Sequence, residues 1–215
     1  MISISATHLI RIFDIPTPRA TIWQPHLEAV MARFDINTPL RAAHFIAQAG
    51  HESDRLVAVK EYWNPARLAY QQRYEGRADL GNTEPGDGER YMGRGLTQIT
   101  GRKNYALLSQ ALGVDFVAQP QLLERLDYAA LSAGWFWQSG AGLNLSHAAL
   151  NALQQYSLGA GVDLNVIADK DDIQTITYCI NGGLNGLDDR AEIFEHAWEV
   201  FKDMQPADGL TWERE

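Results

Sequence analysis

HFIAQAGHESDRLVAVKE, residues His44–Glu61, sits at the junction between the most apolar part of the chain and its most polar. Upstream, Leu40, Ala42, Ala43, Phe45, Ile46, Ala47 and Ala49 are apolar nearly all round a helical wheel, which predicts a central buried helix. Thr38 is a good N-cap and Pro39 a good first helical residue, so the start of that helix is well marked. Gly50 is expected to weaken it, and His51-Glu52-Ser53-Asp54 to end it. Two carboxylates remain in the stretch, Glu52 and Glu61. A glutamate placed where a buried helix gives out can have its proton affinity raised, as a general acid working near neutral pH requires.

Helix geometry constrains that pair. Glu52 and Glu61 are nine positions apart. One unbroken helix would point them to opposite faces, with ~13 Å of rise between them. They can act together only if the helix stops near Glu52 and the chain turns. The plainer reading is that Glu52 makes a local cap or ion pair and Glu61 is a solvated charge.

On the N-terminal side, residues 3–13 predict a short helix started by Ser5 or Thr7, and the two prolines of Asp14–Thr21 predict a loop. A second helix is expected from Trp23 to Phe34, with Leu27, Val30, Met31 and Phe34 at helical spacing. On the C-terminal side, residues 62–92 are rich in Gly, Asn, Asp and Tyr, and a connector of that length is usually functional or disordered. Leu96–Thr100 reads as extended. Further helices are expected at 101–111 (ending at Gly113), 119–139, 146–157, 171–180 and 188–204, followed by a loose tail over 205–215. The pattern is mainly α with little or no β-sheet, in a single catalytic domain spanning 1–215.

Charge and composition narrow the function. The 215 residues carry a formal charge of −9, so no basic stripe is available for nucleic acid. Attraction to an anionic envelope is not favoured either. One cysteine, Cys179, excludes an intrachain disulfide and suggests folding in a reducing compartment. No signal peptide and no transmembrane run are expected. HES starts like a zinc-protease motif, but Arg55 stands where the second His would be, and no metal or other cofactor is expected. Cys179 lies in an apolar run, and GxSxG, Walker A and GxGxxG are absent. Carboxylate chemistry is what remains. Two carboxylates flanking a glycosidic bond supply one proton donor and one base; inversion needs them ~6.5–9.5 Å apart so that a water fits.

Four blocks occur in order: HFIAQAGHES (44–53), EGRADLGNTEPGDGERYMGRGLTQITGRKNY (75–105), SAGWFW (132–137) and INGGLNGLDDR (180–190). Together they resemble the family 19 glycoside hydrolases, in the branch that includes bacteriophage endolysins and prophage or bacterial cell-wall lysins. The likeness runs from about residue 20 to 204. It implies a lysozyme-like helical fold with a cleft and a single-displacement, inverting reaction. By resemblance, Glu52 falls on the general acid, Glu61 on the base for water, and Thr100 on a hydroxyl that helps to hold that water. Tyr91, Gln98, Asn104, Asn181 and Arg190 fall on substrate-contacting positions, with Arg190 also organising the carboxylates. The chain lacks the disulfides and the base-bearing loop of the plant chitinases, so Glu75 competes with Glu61 for the base. For Trp135 and Trp137 core packing is favoured over sugar stacking.

The resemblance implies a monomeric endolysin acting on peptidoglycan glycan strands. It would be held in the cytoplasm until a holin-type pore opens the inner membrane. The alternatives are a chitinase, a lytic transglycosylase-like lysin using Glu52 alone, and a non-catalytic wall-binding module.

Overall fold

Thr38 starts the central helix as its side chain suggests: the hydroxyl accepts the Arg41 N–H at 3.2 Å, and Pro39 occupies a position that needs no donor. In a computed structural model describing residues 2–62, 72–140, 145–156 and 161–204, this helix, α3, spans Pro39–Glu52. Every residue from Ala42 to Gly50 is buried, as its all-round apolar pattern predicts.

The chain divides into two compact units, one built from residues 1–56 and 134–215, the other from 57–133. In the first, α3 packs against α10 (Leu187–Phe201), whose Ile193, Phe194, Ala197 and Phe201 are buried. α1 (Ala6–Phe13) opens on a capping box between Ser5 and His8 and packs against α2 (Thr17–Arg33) and α10.

α3 continues through Gly50 to Glu52. A Cβ on Gly50 would stand 2.3 Å from the Phe13 ring, so glycine is what lets α1 close against α3. Gly50→Ala is therefore expected to overpack this contact at a cost of about 1–3 kcal/mol, lowering Tm by roughly 3–10 °C. Thermal unfolding followed by circular dichroism measures it; an unchanged Tm would mean that Phe13 yields freely.

The loop expected over Asp14–Thr21 is shorter than its prolines suggest. α2 begins at Thr17, with Pro18 in the first turn, where a missing N–H costs nothing, and it continues through Pro25. The rest of the first unit holds α7 (His147–Leu153), α8 (Leu164–Ala168) and α9 (Ile173–Asn181). α8 was not expected: capped by Asp163, it is too short to show a period. Trp137 is in this core, edge-on to Phe45 and donating from Nε1 to Asn165 Oδ1 at 2.8 Å.

The second unit is built on α4 (Asp87–Arg90), α5 (Arg102–Leu112) and most of α6 (Leu126–Trp135). α5 ends on left-handed Gly113, as expected. The single helix expected over 119–139 is instead a 3-10 turn at Pro120–Glu124, an extended Arg125, α6, and a π turn at Phe136–Gly140. The extended character expected at Leu96–Thr100 is replaced by a turn with Gly95 and Gln98 at φ 79° and 51°. Among the described residues β-structure is limited to isolated bridges, Lys60 with Arg94 and Arg94 with Ile99.

Arg102 and Asp87 tie α5 to α4, with Nη2–Oδ1 at 2.5 Å and Nε–Oδ2 at 2.8 Å; the Asp87 side chain is 2% exposed. The hydrogen bonds from Arg102, against the opposing effect of burial, hold the Asp87 carboxyl below the usual carboxylate range. A lowered folded value means that the pair's stability is present above the unfolded value of ~3.9 and is lost as pH falls through the folded one. Acid unfolding should therefore steepen below about pH 4. Asp87→Asn should flatten that limb in urea titrations at stepped pH, and an unchanged pH profile would remove Asp87 as its source.

Part of the 62–92 connector, residues 63–71, and the 205–215 tail lie outside the described residues. Among the described residues no helix is long and apolar enough to cross a membrane.

Candidate active site

Glu52 is the last residue of α3. The helix ends there because Ser53 caps it, its hydroxyl donating to Ala49 O at 2.6 Å and accepting the Leu56 N–H at 2.9 Å. Asp54, Arg55 and Leu56 then follow at φ 50°, 54° and 66°. Three successive left-handed residues without a glycine are strained by about 1–3 kcal/mol each. The turn is held by Arg55 N–H to Gly50 O at 2.7 Å, by Trp23 Nε1 to Leu56 O at 3.0 Å, and by burial of Leu56. The helix break that a two-carboxylate mechanism requires is therefore present, immediately after Glu52.

The Glu52 carboxylate is 19% exposed and accepts from Arg190 Nη2 through Oε1. Arg190 lies in the first turn of α10, has no exposed side-chain surface, and donates from Nη1 to Gln48 Oε1. Gln48 precedes Glu52 by one helical turn, so both acceptors face the same guanidinium. Gln48 Nε2 in turn reaches Thr177 Oγ1 at 3.4 Å. Arg190 thus bridges Gln48 and Glu52, and it is too buried to touch a sugar.

A second link runs beside the first. His51 Nδ1 and Arg55 Nη2 each lie 2.6 Å from Asp189. Burial opposes ionisation of Asp189, but the hydrogen bonds from His51 and Arg55 prevail and hold its carboxyl below the usual range. Gly186 caps α10 at φ 74°, and a Cβ there would stand 2.2 Å from the His51 ring. Gln48, His51 and Asp189 were not singled out from sequence, although Gln48 sits four residues before Glu52 and Asp189 one before Arg190. Asn181 ends α9, is exposed, and accepts from Asn185 Nδ2 at 3.2 Å.

The second unit holds the other candidates. Glu61 N–H donates to Gly93 O at 2.8 Å; its Oε2 accepts the Gly93 N–H at 3.4 Å and its Oε1 the Tyr74 hydroxyl at 3.5 Å. A Cβ on Gly93 would meet Gln98 Oε1 at 2.7 Å and Thr100 Oγ1 at 3.3 Å. Glu61, Gln98 and Thr100 are therefore gathered round one glycine, all three half-buried. The left-handed Gln98 donates from Nε2 to Gly95 O at 2.9 Å, and the Thr100 hydroxyl donates to Gln98 O at 2.9 Å. Asn104 Nδ2 donates to Thr100 O at 2.8 Å, while its Oδ1 is buried with no partner among the described residues.

Tyr91 does not meet the expectation of a substrate-contacting aromatic. Its ring is 1% exposed and edge-on to Tyr105, and its hydroxyl donates to Val117 O at 3.1 Å; it packs the core of this unit. Glu75, the competitor for the base, has both oxygens engaged by the N–H groups of Gly86 and Gly88, at 2.6 and 2.8 Å.

Residues 31–196 match the family model described as chitinase class I, glycoside hydrolase family 19. The chain belongs to glycoside hydrolase family 19. It is a glycosidase with the mainly helical, lysozyme-like fold of that family. A Haemophilus influenzae glycosyl hydrolase family 19 domain-containing protein is 29% identical over 72% of this chain and 77% of its own. Endochitinase 1 of Theobroma cacao is 31% identical over 49% of this chain and 35% of its own. Among solved structures, chitinase C from Streptomyces griseus superposes with a TM-score of 0.66 at 21% identity, covering 92% of this chain and 91% of its own. A bacterial family 19 chitinase gives 0.65 at 22% identity, covering 97% and 98%.

Proposed function

We propose that this family 19 enzyme is an endolysin-type glycosidase that hydrolyses β-1,4 bonds of bacterial peptidoglycan with inversion. Glu52 gives its proton to the glycosidic oxygen as the C1–O bond breaks. Glu61 takes a proton from the water whose oxygen bonds to C1, and Thr100 holds that water. The observation that carries the reading is Glu52 itself, placed at the end of a buried helix and gripped by a fully buried arginine from another helix. The grouping of Glu61, Gln98 and Thr100 round Gly93 supports the assignment of base and water-holder. Asn104 and Asn181 would read sugar hydroxyls. The cell-wall substrate rests on the four sequence blocks and their likeness to the endolysin branch, as do a monomeric state, cytoplasmic retention and release through a holin-type pore.

The second reading is a chitinase, favoured by the names of the cacao and Streptomyces relatives. Mass spectrometry of products from purified peptidoglycan and from chitin oligomers separates the two. Muropeptides ending in a reducing sugar are expected. Cleavage of chitin alone would overturn the cell-wall assignment, and anhydro-sugar products would replace hydrolysis by transglycosylation.

Thr100→Ala is expected to lower the rate about 10-fold, less than loss of either glutamate, because it removes one of the water's partners and no charge. Steady-state rates on a soluble muropeptide measure this. A loss equal to that of Glu61→Gln would mean that Thr100 does more than hold water.

A further inference from the structure

The second unit contains a cavity of about 660 Å³, within the usual range for a small-molecule site. It is lined by residues of the 84–90 segment other than Gly88, by Lys60, Met92, Arg94 and Arg102, and by Ala118, Pro120 and Gln121. Lys60 lines it and Glu61 does not; Met92 and Arg94 line it and Gly93 does not. That is the alternation of extended chain, and it separates the cavity from the Glu61, Gln98 and Thr100 group.

The cavity's charges are incompletely matched. Arg94 is only 6% exposed, and donates from Nε to Glu124 Oε1 at 2.8 Å and from Nη1 to Arg90 O and the Tyr105 hydroxyl at 2.9 and 3.0 Å. Its Nη2 has no hydrogen bond among the described residues. Lys60 Nζ lies 3.2 Å from the same Glu124 oxygen, so two cations share one carboxylate. Arg90 Nη2 goes to the uncharged carbonyls of Val117 and Ala118, both at 3.1 Å. In the other sense, the exposed Glu84 and Glu89 carboxylates make no hydrogen bond among the described residues, although Glu84 lies within electrostatic reach of Arg102. A nearly buried guanidinium with an unused donor asks for an acceptor. Glu84 and Glu89 are exposed on the same lining, where a cation can reach them from solvent.

We propose that this cavity binds the peptide stem of cell-wall glycan, with Arg94 and Lys60 taking a stem carboxylate and Glu84 or Glu89 a stem amine. The proposal rests on the cell-wall reading above, because the stem is what distinguishes that polymer from chitin. It adds a site for the peptide apart from the residues assigned to the sugars.

The test is an NMR titration of the full ¹⁵N-labelled chain with free stem peptide, released from sacculi by an amidase. An N-acetylglucosamine oligomer and sodium acetate serve as controls. The peptide is expected to shift the amide signals of Lys60, Gly86, Arg94 and Gln121 saturably, while the sugar oligomer leaves them in place. Lys60→Ala and Glu84→Gln should each weaken peptide binding about fivefold, the loss of one charge-assisted contact. No saturable shift at millimolar peptide, or unchanged affinity in both variants, would overturn the proposal. Acetate acting as strongly as the peptide would also overturn it, by reducing the site to one for a bare carboxylate. If sacculi are cleaved but the peptide does not bind, this inference falls and the cell-wall reading stands. If the peptide binds but only chitin is cleaved, the reverse holds.

Discussion

Glu52→Gln is expected to lower glycan hydrolysis by about 10³-fold or more while leaving the circular dichroism spectrum and Tm close to those of the parent. General acid catalysis contributes typically ~10²–10⁴-fold, and an amide cannot supply the proton to the leaving oxygen. The fold should tolerate the change because Gln keeps an oxygen for Arg190 Nη2 and the side chain is not fully buried. Glu61→Gln should cost a comparable factor for a different reason, since an amide cannot take the proton from water. Glu75→Gln is the control. Its two oxygens accept backbone N–H groups of Gly86 and Gly88, so its loss should appear in stability before it appears in rate. Hydrolysis rates for the three variants, with thermal melts alongside, decide the matter. If Glu61→Gln were active and Glu75→Gln inactive with its Tm retained, Glu75 would be the base. If Glu52→Gln lysed cells normally, a non-catalytic wall-binding role would replace the enzymatic one.

These roles were legible to different degrees, and the differences have physical causes. Thr38-Pro39 marked the start of α3 because capping is a local event, carried by the side chain at the position itself. The end of α3 at Glu52 was legible from the polar cluster that follows. The reason for a glycine at position 50 was not legible, because propensity describes an isolated helix, whereas here a Phe13 ring from another helix occupies the space of a side chain. Pro16 and Pro18 predicted a loop, but Pro16 is the N-cap of α2 and Pro18 falls in its first turn, where a missing N–H does not matter; spacing alone did not place that turn. Gln48 carries no motif and gains its role only from Arg190, which comes 142 positions later in the chain. Tyr91 shows the limit of carrying a role over by resemblance. The resemblance of its block implies a sugar contact, but its hydroxyl already has a backbone partner and its ring is buried, edge-on to Tyr105.

Arg190→Met is expected to lower stability by about 2–4 kcal/mol and to abolish measurable turnover. Removing one partner of a buried ion pair typically costs ~3–5 kcal/mol, and the 19% exposure of Glu52 lets water recover part of that. Arg190→Lys should rescue little. A single ammonium cannot present two parallel N–H groups, and both Gln48 and Glu52 are served from one planar fork. The same substitution made on a Glu52→Gln background separates two origins of the cost. If the penalty comes from stranding the Glu52 carboxylate, Arg190→Met should cost roughly 1–2 kcal/mol less once residue 52 is neutral, a coupling well above the usual error of additivity. If it comes from the void left by the guanidinium and from the orphaned Gln48 oxygen, the cost should be the same on both backgrounds. Urea denaturation of the four proteins measures that difference. A coupling within ~0.5 kcal/mol of zero would make Arg190 a core residue that happens to touch Glu52, and its effect on turnover would then have to run through the packing of α10 on α3.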